Sequence, residues 1–131
     1  MKYLLDTQVF LWMQAHPHKF GVHTLGILRD DKHDLYLSAA SAWEIALKVR
    51  KGQLSLPETP DDYVPERMRV CGVKSLPVEP SHALEVAIVD GRERDLIDRL
   101  LIGQATVEDM PLISADPKMP NSAITVIDAT R

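Results

Sequence analysis

Four acidic residues stand where a chain of alternating strands and helices can deliver chemistry to one edge of a sheet. Asp6 ends the apolar run that opens the chain and precedes a helix-compatible stretch. Glu44 lies early in a helix that follows a strand, Asp98 opens a later helix, and Asp116 closes the next apolar strand. In open α/β sheets ligands bind beyond the carboxyl ends of the strands, and right-handed crossovers bring those ends to one side. Carboxylates gathered there repel and raise one another's pKa unless a cation compensates them. Hard oxygen donors suit Mg²⁺ or Mn²⁺, which keep bound waters and accept phosphate oxygens. The chemistry such a cluster could do is metal-assisted phosphodiester hydrolysis, in which the ion lowers the pKa of the attacking water and stabilises charge on the phosphate. Plainer readings stay open. Asp6 or Thr7 could merely cap a helix, and Glu44 and Lys48, spaced i, i+4, could form an exposed ion pair. Asp98 is harder to explain that way, because it lies among leucines, where a carboxylate is costly without a cation or donors.

Positioning these acids requires a particular series of elements. The run Met1 to Leu5 reads as a buried strand and Thr7 to Ala15 as a helix. A second helix is expected over His18 to Arg29, weakened by Gly21 and Gly26. Leu35 to Ser38 is a short strand, with Ser38 or Ser41 as cap for a helix over Ala39 to Lys51 that Gly52 terminates. In that helix Trp43, Ile45, Leu47 and Val49 imply burial on more than one side. Asp61 to Cys71 is helical, with a late start imposed by Pro65. Val73 to Val78 is extended. Ser81 caps a helix over His82 to Val89, with Ala83, Leu84, Val86 and Ala87 inward. Asp95 caps a helix through Ala105 whose buried stripe is Leu96, Ile97, Leu100, Leu101 and Ala105. Met110 to Asp116 repeats the opening design, and Ile124 to Asp128 adds a last strand. The alternation predicts one α/β domain over residues 1–131, a sandwich with a mainly parallel sheet.

Composition agrees with that size of core. The chain has 131 residues, 45% of them apolar and 26% charged, enough to bury a core without disulfides. Its single cysteine, Cys71, can form no internal bridge and has no cysteine partner for zinc, which points to a reducing compartment, the cytoplasm. No apolar run is long enough to span a membrane, and neither export nor membrane attachment is expected. A net charge of −4 argues against broad nonspecific adhesion to nucleic acid, but a local basic rim is compatible with it.

The residues LLDTQVFLW at 4–12, SAASAWEIALKVRKGQLSLP at 38–57, PVEPSHAL at 77–84, RDLIDRLLIGQA at 94–105 and PLISAD at 111–116 resemble PIN-domain proteins, specifically toxin ribonucleases of the VapC type. The resemblance runs nearly end to end. It implies a three-layer α/β/α PIN-like sandwich and a Mg²⁺- or Mn²⁺-dependent endoribonuclease whose acidic site falls on Asp6, Glu44, Asp98 and Asp116. Thr7 and Ser114 match hydroxyl positions beside that site, and Asp95 matches an additional acid. The resemblance also implies a toxin held by a small VapB-like antitoxin whose tail covers the acidic pocket. A homodimer is implied too, within a larger complex that binds promoter DNA only through the antitoxin. The short helix Val9 to Met13 is a candidate dimer face. Two departures stand out. Gln8 replaces the histidine of the common Asp-Thr-His, and Leu96-Ile97 replaces a proline and an aromatic before Asp98, which places the consequences in substrate selection.

Arg94, Arg99 and Lys48 could hold RNA phosphates beside the acids, or could be ordinary surface charges. Trp12 and Trp43 could stack bases, although their apolar helical neighbours favour core packing. His16, His18 and His33 are expected at the surface, and Cys71 has no catalytic partner. A receiver-like signalling module would also gather acids around Mg²⁺, but would accept a phosphoryl group on aspartate. The same acids would also suit a PIN-like module that binds metal and RNA without cutting, or a structure-specific DNA nuclease.

Overall fold

The computed structural model describes residues 1–87, 96–116 and 124–131. Its centre is a five-stranded, all-parallel sheet in the order β3-β2-β1-β4-β5. The strands are β1 (Lys2–Leu5), β2 (Asp34–Ser38), β3 (Val73–Leu76), β4 (Leu112–Ser114) and β5 (Val126–Asp128). The order reverses at β1, whose two neighbours are β2 and β4. Crevices for ligands open at such a reversal, beyond the carboxyl ends of the strands. Asp6 follows β1 and Asp116 lies two residues beyond β4, so two of the four acids leave adjacent strands at that point.

Alternation along the strands makes the sandwich. Leu5, Leu37 and Ile113 point to one face, and Leu4 and Leu112 to the other. The first face is covered by α1 (Thr7–Ala15), α2 (Val22–Arg29), α3 (Ala39–Arg50) and α4 (Pro60–Cys71), through Phe10, Ile27, Ile45 and Val64. On the second face α6 (Leu96–Glu108) lays Leu101, Ile102 and Ala105 on the sheet, and the short α5 (Pro80–Glu85) packs on α6. Each fully buried Leu, Ile or Phe contributes about 1.5–3 kcal/mol relative to an exposed one. The three-layer expectation and the parallel sheet both hold.

Several local expectations do not. The stretch 18–29 is broken: a 3₁₀ turn covers Pro17–Lys19, and α2 begins only after Gly21. Gly21 is extended, and a Cβ there would run into the backbone of Arg131. α4 starts early, at Pro60, whose missing N–H costs nothing in a first turn. Pro65 is carried inside the helix, exposed, with Asp61, four residues before it, exposed as well.

α5 begins at Pro80, two residues sooner than a Ser81 cap would allow, and this turns its faces. His82 is the inward residue at 1% exposure, whereas Leu84 is 74% exposed and Ala83 and Ala87 are also exposed. The Glu79 N–H donates to His82 Nδ1 at 2.9 Å, so Nε2 carries the proton and donates to Glu108 at 2.8 Å. Residues 88–89 of the expected helix lie outside the described residues. Trp43 and Leu96, expected in buried positions, are 61% and 71% exposed, because α3 meets the core through Ile45 and α6 through Leu101 and Ile102. Val9 and Phe10 are completely buried in the core, so the stretch from Val9 to Met13 cannot offer them as a dimer face.

Candidate active site

Asp6 has two attachments. It is the N-cap of α1, with Oδ1 accepting from the Val9 N–H at 2.7 Å, while Oδ2 accepts from Ser114 Oγ at 2.9 Å and the Ala115 N–H at 3.0 Å. Capping the helix and belonging to the site are therefore compatible roles. Burial to 5% exposure pushes the Asp6 pKa above the ordinary carboxylate range, and the charge of Glu44 adds to the rise; the three hydrogen bonds offset part of it. A carboxylate offers about four lone-pair positions, and the three donors leave room for one further partner.

The other acids arrive from separate elements. Glu44 lies in the second turn of α3, at 13% side-chain exposure, with its Oε2 3.2 Å from Lys48 Nζ. This is a half-sheltered pair rather than the exposed surface pair the spacing allowed. Asp98 is in the first turn of α6, and Asp116 lies just beyond β4. All four line one open cleft of about 560 Å³. Thr7 lines it too and donates to Ser41 Oγ at 2.9 Å, tying the start of α1 to the start of α3. Ser114 accepts from the Asp116 N–H at 3.0 Å while it donates to Asp6, so one hydroxyl ties the ends of β1 and β4 together.

Gln8 and Lys48 also line the cleft. Arg99 is not among the residues that line it; its Nη2 lies 3.4 Å from the Val86 carbonyl at the end of α5. Asp95 and Arg94 lie outside the described residues. Trp12, weighed from the sequence as a base-stacking or core residue, and Lys19, which the sequence did not single out, form a wall of the cleft. Lys19 Nζ sits 5.1 Å from the centre of the Trp12 ring, which is edge-on to Phe20 at 5.8 Å. Trp12 is thus part core and part cleft. Nothing in the local sequence pattern marked Lys19, which reaches the site from a turn, or the Ala115 N–H, which depends on the backbone path after β4.

Among the described residues, no three His, Cys, Asp or Glu side chains converge closely enough to enclose an ion by themselves. The donors nevertheless fit a hard cation that keeps its own waters: they are all carboxylate oxygens, and Mg²⁺ is commonly held by only one or two of them. Asp6, with one acceptor position left, is the anchored member of such a set.

A PIN-domain family profile matches residues 3–124. The chain belongs to the PIN-domain family. Over 59 residues this PIN domain is 49% identical to Ribonuclease VapC16 of Mycobacterium tuberculosis (strain ATCC 25618 / H37Rv), a match that takes in 45% of the chain and only 42% of that relative. Its fold is similar to VapBC2 from Rickettsia felis, solved bound to a promoter DNA fragment. That similarity covers 98% of each chain at a TM-score of 0.70 and 11% identity. It is also similar to VapBC-1 from nontypeable Haemophilus influenzae, over 100% of each chain at a TM-score of 0.68 and 16% identity. At these identities the PIN domain shares their fold.

Proposed function

We propose that this PIN domain is a Mg²⁺- or Mn²⁺-dependent endoribonuclease and the toxin of a toxin–antitoxin pair. The observation that carries the proposal is the single cleft onto which Asp6, Glu44, Asp98 and Asp116 open from four separate elements. The partial match to a protein named as a ribonuclease and the likeness to VapBC structures support it. A bound ion would supply an activated water and stabilise charge on the scissile phosphate. Asp6, Asp98 and Asp116 are the residues to hold it. Asp6 is held by Ser114 and Ala115, and Glu44, which lines the same cleft, would hold the ion or accept a proton from the attacking water. Lys48 balances Glu44 and keeps that wall of the cleft from repelling an RNA backbone.

On this reading the partner is a small VapB-like antitoxin whose tail covers the cleft, within a larger assembly that contacts promoter DNA through the antitoxin. A homodimer would use surfaces other than Val9 and Phe10. Cellular RNA as substrate places the protein in the cytoplasm; no helix among the described residues is long and apolar enough to cross a membrane. As the phosphoryl acceptor of a receiver-like module, Asp6 is disfavoured, because three donors already hold its carboxylate and little of it is exposed.

The test is incubation of purified, antitoxin-free protein with total cellular RNA in Mg²⁺ or Mn²⁺, with new ends mapped beside EDTA and Asp98→Asn controls. Discrete metal-dependent cuts that vanish in the variant are expected. A folded protein that leaves RNA intact but cuts DNA, or cuts nothing, defeats the proposal.

A further inference from the structure

Beside the acidic cleft lies a groove of about 290 Å³ between α3 and the start of α6, lined in part by Trp43, Leu47, Lys51 and Leu96. Glu44 and Lys48 line both cavities, so their ion pair is the wall the groove and the cleft share. Trp43 and Leu96 are 61% and 71% exposed, which leaves an indole and a branched alkyl group facing water next to the site. Among the described residues, neither belongs to a core cluster.

We propose that this groove is a subsite for one unpaired nucleotide flanking the phosphate that is cut, with its base stacked on Trp43 and its backbone drawn toward Lys48 and Lys51. The placement beside a scissile phosphate rests on the endoribonuclease reading of the cleft. Phosphates recur at every nucleotide, so a strand with one phosphate at the acids must carry the next nucleotide along an adjoining wall. The groove is such a wall, and with Lys48 balancing Glu44 its net charge is the positive charge of Lys51, which matches a polyanion. The Lys48 charge offsets that of Glu44 at the boundary, so a backbone can pass without meeting a net negative wall. Aromatic stacking accepts any base, because every base has a π-face, but it requires that the base be unpaired. A neutral apolar segment of a partner protein could cover the indole but would make no use of the lysines.

The binding test uses the Asp98→Asn protein, which prevents cutting, and a short fluorescein-labelled single-stranded RNA of mixed sequence, followed by fluorescence anisotropy. Adding Trp43→Ala should weaken binding about tenfold or more, whereas Trp43→Phe, which keeps a stacking ring, should retain most of the affinity. The same strand annealed to its complement should bind equally with or without the indole. Because the side chain is exposed, unchanged melting of both variants is expected. Equal single-strand affinity for Trp43→Ala and its parent, or no binding of single-stranded RNA at all, overturns the subsite. So does loss of a copurifying protein partner from Trp43→Ala while its RNA affinity stays intact, which would assign the groove to protein. Cleavage by the otherwise unaltered chain reads the nuclease separately. Cutting with an unchanged KM in Trp43→Ala rejects the subsite alone, and Trp43-dependent binding without any cutting rejects the nuclease reading alone.

Discussion

The Ser114 hydroxyl donates to Asp6 Oδ2 at 2.9 Å, joining residues 108 apart in sequence across the ends of two adjacent strands. This bond is one of three that hold down a pKa which burial drives up. Hydrogen bonds to charged groups are worth about 1.5–3 kcal/mol, so its loss should be felt at the carboxylate. Ser114→Ala is expected to raise the Asp6 pKa further, moving the acid limb of the pH–rate profile upward and weakening Mn²⁺ binding. Calorimetric Mn²⁺ titration together with that profile checks the point. If neither changes, Ser114 has no part in tuning Asp6.

The raised pKa of Asp6 also links pH to stability. A carboxyl whose pKa is higher in the folded than in the unfolded chain favours folding while protonated, below the ordinary carboxylate range; that contribution is lost as pH climbs through the raised value. A divalent ion bound to the ionised form counters the loss. Stabilisation by metal should therefore grow with pH, approaching about 2.7 kcal/mol when the ion is present at a hundredfold over its Kd. Thermal melts with and without Mn²⁺, compared at an acid and a mildly alkaline pH, read the effect. A metal-induced shift in Tm that is the same at both values, or larger at the acid one, contradicts the coupling.

Lys48 is expected to act on the site through Glu44. Substituting Lys48→Met keeps most of the aliphatic stem but removes the cation 3.2 Å from a carboxylate of 13% exposure. The uncompensated Glu44 charge then presses harder on Asp6, whose pKa it already raises. The outcome expected is an upward shift of the acid limb of activity with a stability loss below about 1 kcal/mol, since the lysine is partly exposed. Measured pH profiles that superimpose on those of the unaltered chain would remove Lys48 from the electrostatics of the cleft.

Much of this arrangement is legible in the chain itself. The parallel sheet follows from short apolar runs separated by helical periods, and the acids at 6 and 116 are readable because each ends such a run. What is not legible depends on contacts between distant segments. The Ala115 N–H on Asp6 and the approach of Lys19 to Trp12 come from chain paths that local spacing does not encode. Helix faces fail where the start is misplaced. Beginning α5 at Pro80 instead of after Ser81 turns His82 inward and Leu84 out. Trp43 is misjudged from sequence because its apolar neighbours imitate a core face, whereas α3 meets the sheet through Ile45. Hydrophobicity alone does not separate a residue that fills the interior from one that borders a groove.

The contact of α5 with α6 gives a stability test that leaves the cleft acids untouched. A Cβ on Gly103 would fall 3.0 Å from the His82 carbonyl oxygen and 3.4 Å from Val86 Cγ2, and the nearer of these is backbone, which cannot rotate away. Alanine would improve the helix propensity of α6 by about 1 kcal/mol, but overpacking of a tight contact costs about 1–3 kcal/mol. Crowding should win, because moving the His82 backbone also disturbs the bonds from its ring to Glu79 and Glu108. Gly103→Ala is therefore expected to lower stability by about 1 kcal/mol net. Denaturant melts would register this as a lower midpoint, while kcat per folded molecule stays unchanged because Asp98 lies at the opposite end of α6 from Glu108. A more stable Gly103→Ala protein would mean that α5 yields easily and that the helix term dominates.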